Sequence, residues 1–472
     1  MKKYLCLLSL LACGDDGATP DPVIDAAIDA PTSGPVSLTY REYGVGVEGV
    51  DVYFQNADGS LVGKVATDAN GFASQVMTSG GTVTILQFLP PEPVDPDNPP
   101  DPDDPVDVGA YALHTYAAVK AGDELTIEGG SPMAGDDIVI NGEIPGMANA
   151  TGYHVATTCT SDGDGGGSKG GPDYQLVLDG DKCKGSADFL IIAHDGSVPI
   201  GSIYKPNVSV SDQARISFGE PYTAVPTTSI TFSNMPVAVA DSRVRTELYS
   251  PRGVLFNSEA TPISFTAGAG TAMLRHPRAS NTASAAYVSH RIPSAPLAFH
   301  MSVLWGPSSE VSTLTYDGAT TFLPNYTQAP TYDATTQRIV WQSSGSTVAA
   351  DFAVAFFYAA RQSPEQEWYW KIAAPYDGTA IRLPALPSDI AKFLPLANDY
   401  FLPVTLDTGK ITGGYDAVRE NAFNLLGTRT DDVGLPPGSG SLDLVMLSPF
   451  AVPRRAPETL RRPRVLDRAN RW

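Results

Sequence analysis

Only four cysteines, six histidines and 31 basic side chains against 52 acidic ones occur in this 472-residue chain. Each scarcity excludes something. A formal charge of −21 argues against nucleic acid as a partner, because polyphosphate is repelled. Four cysteines are too few for a disulfide-dense scaffold or a cysteine-rich zinc module. His114, His154, His194, His276, His290 and His300 include no pair at i, i+2 or i+4 ligand spacing. His-Glu-x-x-His, Cys-x-x-Cys and a phosphate-binding glycine loop before Lys-Ser or Lys-Thr are missing. Past the N-terminus the longest apolar run, Phe352 to Ala360, is too short to span a bilayer as a helix. These gaps point away from catalysis, and no catalytic residue and no obligate cofactor are assigned. What the chain has in quantity is turn formers, 44 glycines and 40 prolines. Its length suits three or four domains of roughly 100 to 200 residues each.

The N-terminus carries an address. Lys2 and Lys3 precede a short apolar stretch, Tyr4 to Ala12, with a small residue just before Cys13, the layout of a secretory signal. Leu10-Leu11-Ala12-Cys13 resembles the bacterial lipobox. That resemblance implies removal of residues 1–12 and acylation of Cys13, for example by palmitate. Gly14 in place of aspartate implies an outer-membrane lipoprotein of the cell envelope. Several acyl chains, at about 0.8 kcal/mol per buried methylene, would hold the protein stably. Residues 13–34 hold five aspartates and no base, so they read as a disordered acidic tether. Among the later residues only Cys159 and Cys183 carry thiols, and in an exported protein they read as one disulfide closing a glycine-rich loop.

From Pro35 onward the pattern is strand and turn. Val50, Val52 and Phe54 alternate at period two; Asp58-Gly59 and Asp68-Ala-Asn-Gly71 supply hairpin turns, and Thr82-Val-Thr-Ile-Leu86 follows a Gly-Gly pair. This succession resembles the carboxypeptidase regulatory-like (transthyretin-like) and related bacterial Ig-like domains over about residues 36–128. In that family the Asp, Asn and Gly positions shape turns, and the resemblance implies an accessory β-sandwich without peptidase chemistry. Leu89 to Asp107 departs from the family, with eight prolines and seven acidic residues that must loop out in extended form. Further strand segments fill 131–224, 225–345 and 346–452, with short helical signals only at Ser388 to Leu394 and Asp416 to Leu426. The fold class expected is all-β, tandem Ig-like β-sandwich domains at 35–130, 131–224, 225–345 and 346–452. Residues 453–472 carry seven arginines against Glu458 and Asp467 and read as a basic disordered tail, though such a tail also suits folding back onto an acidic body or meeting anionic lipid or polysaccharide.

Two ligand sites are in question. Asp162, Asp164 and Asp173 echo a calcium loop, with Gly167 at the sixth position, although the fifth lacks a side-chain oxygen and the twelfth is Asp where Glu is usual. A solvated loop competes with Ca2+ there. Trp368 and Trp370 share one face of an expected strand, with Glu365 and Glu367 just upstream, a combination that suits stacking on a sugar ring. A buried core pair competes with it. The function expected is a lipid-anchored, non-catalytic envelope protein, membrane-bound through Cys13, with a binding or structural role toward an envelope polysaccharide or surface protein. Polysaccharide binding through exposed aromatics and hydrolysis at a site assembled between domains are the alternatives.

Overall fold

The computed structural model describes residues 32–42, 45–90, 109–129, 136–159, 172–183, 185–236, 239–292, 298–309, 313–425 and 438–447. The signal, most of the tether, the proline-rich insertion from 91 and the basic tail lie outside them. The class is all-β, as the alternating apolar pattern requires. The first strand, Ser33–Glu42, shows the mechanism: Val36, Leu38 and Tyr40 are buried at period two while Ser37 and Thr39 point away.

Strands pair into two-layered units. In the first, Ser33–Glu42 lies between antiparallel Phe72–Thr78 and parallel Glu124–Gly129. This sheet faces a second one of Leu61–Ala66, Asp51–Gln55, Gly81–Leu89 and Ala110–Val119. The turn Asp68–Gly71 joins the layers through Asp68, whose Oδ1 accepts from the backbone N–H of Asn70 at 2.8 Å and of Phe72 at 2.9 Å. Gly71 is obligatory there: its φ is +76°, and a Cβ would sit 1.9 Å from the Tyr40 carbonyl oxygen.

The second unit packs the antiparallel pair Asp137–Glu143 and Asp173–Asp179 against Gly152–Thr157, Ser186–Asp195 and Val198–Ser209. Cys159 and Cys183 are bonded, their Cα atoms 5.1 Å apart, across a sequence separation of 24. Closing a loop of that size stabilises the unit by about 3 kcal/mol in the chain-entropy account. In the third unit, Gly270–Arg275, Thr227–Ser233 and Thr313–Asp317 cover Ala240–Ser250, Ala283–Arg291 and Ala298–Pro307. In the fourth, Asn325–Asp333, Arg338–Ser344 and Ala380–Arg382 cover Phe352–Gln362, Glu365–Pro375, Tyr400–Ile411 and Gly440–Leu447.

The units do not stand apart like beads. Ala298–Pro307 pairs with Gly440–Leu447, and Glu365–Pro375 pairs in parallel with Ala110–Val119, so one sheet of 13 strands runs through the first, fourth and third units. Sheet pairing therefore joins the expected domain 35–130 to 346–452, and 225–345 to 346–452, while the strands of 131–224 pair only among themselves among the described residues. A sheet edge that pairs with another edge loses its exposed N–H and C=O row, the liability that isolated sandwiches must cover in other ways.

The helix Gly414–Leu425 locks this joint. Tyr415 and Val418 pack on Phe352, Val354 and Ala373 of the central sheet. The Tyr415 hydroxyl is 2.8 Å from the carbonyl oxygens of both Ala117 and Ala373, one on each side of the parallel seam. Arg419, almost wholly buried, donates to Asp123 at 2.7 Å and Asp416 at 2.5 Å, and Lys120 meets Asp416 at 2.5 Å. No helix among the described residues is long and apolar enough to cross a membrane.

Removing the Arg419 guanidinium leaves the Asp123 carboxylate without its buried counter-ion. Arg419→Ala is expected to cost about 3 kcal/mol, read as a lower denaturant midpoint; an unchanged midpoint would show that the seam does not need this lock.

Candidate functional site

The period of two decides the fate of the aromatic pair. Trp368 and Trp370 do share a face, but it is the inner one: both are 0% exposed, under the cover sheet of the fourth unit and Phe393. Trp370 Nε1 donates to Thr115 Oγ1 at 2.9 Å, and the Arg361 guanidinium lies 5.5 Å from the Trp368 ring centre. Stacking on a saccharide at these two rings is therefore ruled out. Glu365 and Glu367 occupy odd positions of the same strand and point to the opposite side of the sheet, where Tyr369 is buried against Tyr358. The four residues never form one site.

Asp162 and Asp164 lie outside the described residues, and Asp173 opens a strand opposite Glu143. Among the described residues no three His, Cys, Asp or Glu side chains gather as a metal cage would require. Cys13 also lies outside the described residues.

Three of the histidines enter the core with neutral partners. Ser242 Oγ is 2.8 Å from His290 Nδ1, Ser284 Oγ is 2.7 Å from His276 Nε2, and His300 Nε2 meets Asn325 Oδ1 at 2.5 Å. Ser242 also lines a groove of about 340 Å³ beside Phe265 and Asp241. A serine–histidine pair next to a groove has the outline of a nucleophile and base, but a working base needs an orienting third group and access to protons. No described residue hydrogen-bonds the other nitrogen of His290, and burial with His300 nearby lowers its pKa to about 3. A base that weak does not activate serine at neutral pH. Gly166-Gly-Ser168-Lys-Gly170 has the Gly-x-Ser-x-Gly spacing of a hydrolase nucleophile turn, a motif that reading the sequence wrongly counted as missing; it lies outside the described residues.

The outward face of the first unit is different in kind. Across its three strands the registered rows are Glu124, Ser37 and Ser74, then Thr126, Thr39 and Phe72, with Pro35 beside Val76. A groove of about 730 Å³ runs over them, walled by Asp123 and by Glu420 from the locking helix. Phe72 is 44% exposed and Val76 60%. Hydroxyls able to donate and accept, one aromatic ring and carboxylates at the rim are the groups that a hydroxyl-rich ligand engages. The Asp68 turn fixes where Phe72 leaves the chain. The signal was present in the sequence as the alternation Ser37-x-Thr39 and Phe72-x-Ser74, but only strand pairing set those residues side by side.

No family model matches this sequence, and no curated protein matches it. Among solved structures, the chain is similar to the Bacillus anthracis TIE protein at 10% identity and a TM-score of 0.14, covering 61% of this chain and 50% of that one. It thus spans half the length of that protein. BcpA, the major pilin subunit of Bacillus cereus, is 11% identical with a TM-score of 0.12, over 60% of this chain and 98% of that one. A Ca2+-stabilized, ice-binding adhesin of an Antarctic bacterium is 11% identical with a TM-score of 0.12, over 82% and 97%.

The buried titratable groups set a pH dependence. Burial lowers His114, His276 and His290 to about 3 and His300 to about 4, from 6.5. Below 6.5 the unfolded chain takes up protons that the native chain refuses, so stability is lost as pH falls through that window. Asp407 and Asp443, both raised by burial from 3.8 to about 7, act with the opposite sign between those values. Four groups outweigh two. The denaturant midpoint is expected to fall between pH 7 and pH 5; an equal or higher midpoint at pH 5 would contradict this balance.

Proposed function

We propose that this chain is a lipid-anchored, non-catalytic protein of the bacterial cell envelope that binds a hydroxyl-rich polymer, an envelope or surface polysaccharide, on the outer face of its first unit. The observation that carries the reading is the open groove over Ser37, Thr39, Phe72, Ser74 and Thr126. It offers stacking and hydroxyl contacts, while His276, His290 and His300 are turned into the core. A sugar ring over Phe72 gains apolar contact on its axial C–H face, and the two rows of hydroxyls and Glu124 take up its hydroxyl groups. The fused sheet supports the same reading, because a binding face needs a rigid support more than it needs a moving one.

The lipid anchor rests on Cys13 and its lipobox-like context. Metabolic labelling with an alkyne fatty acid is expected to mark the wild-type chain and leave Cys13→Ser unmarked; equal labelling of both removes the anchor from the proposal.

Phe72 is exposed and contributes little to the core, so Phe72→Ala is expected to keep the melting temperature within a few degrees. Retention on immobilised envelope polysaccharide should drop about tenfold, the worth of one aromatic stack. Unchanged retention by this variant would place the ligand elsewhere.

A further inference from the structure

The third unit carries a groove of its own. Its cover sheet packs on Val244, Val288 and Leu304 of the larger sheet. By period two the alternate residues of those strands, Arg243, Arg245, Tyr287, Ser289, Phe299 and Met301, stand on the opposite face. Strand register sets them in rows, Arg243 beside Ser289 and Met301, then Arg245 beside Tyr287. Together with Ala260 these six line a groove of about 300 Å³. That size lies at the lower end for small-molecule sites.

The two arginines are prepared differently. Arg245 is held: its Nη2 lies 2.9 Å from Glu247 Oε1, and its guanidinium lies 4.9 Å from the centre of the Tyr287 ring. Glu247 is 0% exposed and accepts from the Tyr249 hydroxyl, which also bonds the Tyr287 hydroxyl. A guanidinium fixed along one edge and stacked on a ring keeps its other N–H groups in a set plane, where an incoming oxyanion meets them with little further ordering. Arg243 is exposed, and among the described residues no carboxylate pairs with it, not even Asp241 two residues away. Arg291, exposed beside Phe299, extends the positive field along the same face.

This charge balance selects the ligand. Two guanidiniums against one carboxylate leave one positive charge uncompensated inside the groove, on a chain whose formal charge is −21. One charge matches a monoanion, and the planar fork of arginine fits a carboxylate. A phosphate dianion brings more charge than the groove neutralises. Phe299, Met301 and Ala260 offer C–H contact beside the charge, and the Ser289 hydroxyl can donate or accept. A carboxylate joined to hydroxyl groups and an apolar ring face is an acidic sugar.

We propose that the groove between Arg243 and Phe299 is a second binding site, which takes a carboxylate-bearing sugar residue, a uronate, through Arg243 and Arg245. It uses a different unit and different residues from the groove over Phe72, so each of the two sites stands or falls separately.

The test titrates the full chain by isothermal calorimetry at low salt with trigalacturonate, its neutral methyl ester, inorganic phosphate and a hexa-aspartate peptide. Trigalacturonate is expected to bind, and the ester about tenfold more weakly. Arg243→Gln should melt with the wild type, because the side chain is exposed and unpaired, yet lose about tenfold in affinity for trigalacturonate. Phe72→Ala should leave that affinity unchanged. No binding of trigalacturonate, equal binding of the ester, tighter binding of phosphate or of the peptide, or an affinity that follows Phe72 and not Arg243 would each overturn the assignment.

Discussion

The architecture depends on one seam, the parallel pairing of Trp368–Ala373 with Tyr111–Tyr116. A sandwich made from consecutive hairpins ends in strands whose outer N–H and C=O groups have no partner, and such edges invite uncontrolled pairing. Here two edges from distant parts of the chain meet each other. The seam makes Ala110–Val119 an interior strand, which is why so many of its residues are buried although it belongs to the first unit. It also brings Thr115 within reach of Trp370 and sets the Ala117 and Ala373 carbonyls at the distance that the Tyr415 hydroxyl bridges.

Once the sheet is continuous, its two faces acquire different chemistry. One carries the tryptophans and the cover sheet of the fourth unit. The other carries the locking helix, then the tyrosine-rich cluster with Glu367 and Asp407. Polar groups at these depths are held by hydrogen bonds or shifted toward their neutral forms, as for the histidines, because an isolated charge is costly away from water. Buried polar groups of this kind specify how layers fit together. The open chemistry lies instead on the first unit, where Phe72 is 44% exposed beside its hydroxyl neighbours.

Much of the fold was legible in the residues. Val36-Ser-Leu-Thr-Tyr40, Phe189 to Ala193, Phe352 to Ala360 and Leu442 to Leu447 all lie in strands, and Gly59 and Gly71 take the positive φ that their turns require. The helix Gly414–Leu425 falls where Asp416 to Leu426 was expected. These are local properties, set by side-chain alternation and turn chemistry. The candidate site was less legible. Parity places Trp368 and Trp370 together and puts Glu365 and Glu367 across the sheet, but it cannot say which face meets water. A tryptophan pair reads the same in a core and on a lip, and the alternation around Phe72 does not say which of its two faces meets water.

The sequence by itself determined the class, the strands and turns, the pairing of Cys159 with Cys183 and the acidic character of the chain, because each follows from residues close together or from simple counting. Tertiary structure alone decided that three units share one sheet, that Arg419 sits between Asp123 and Asp416, and which aromatic rings face solvent. Those outcomes depend on which edges and faces meet across hundreds of residues. Edge backbone looks the same whatever its partner, and an apolar face is satisfied by any layer that excludes water from it.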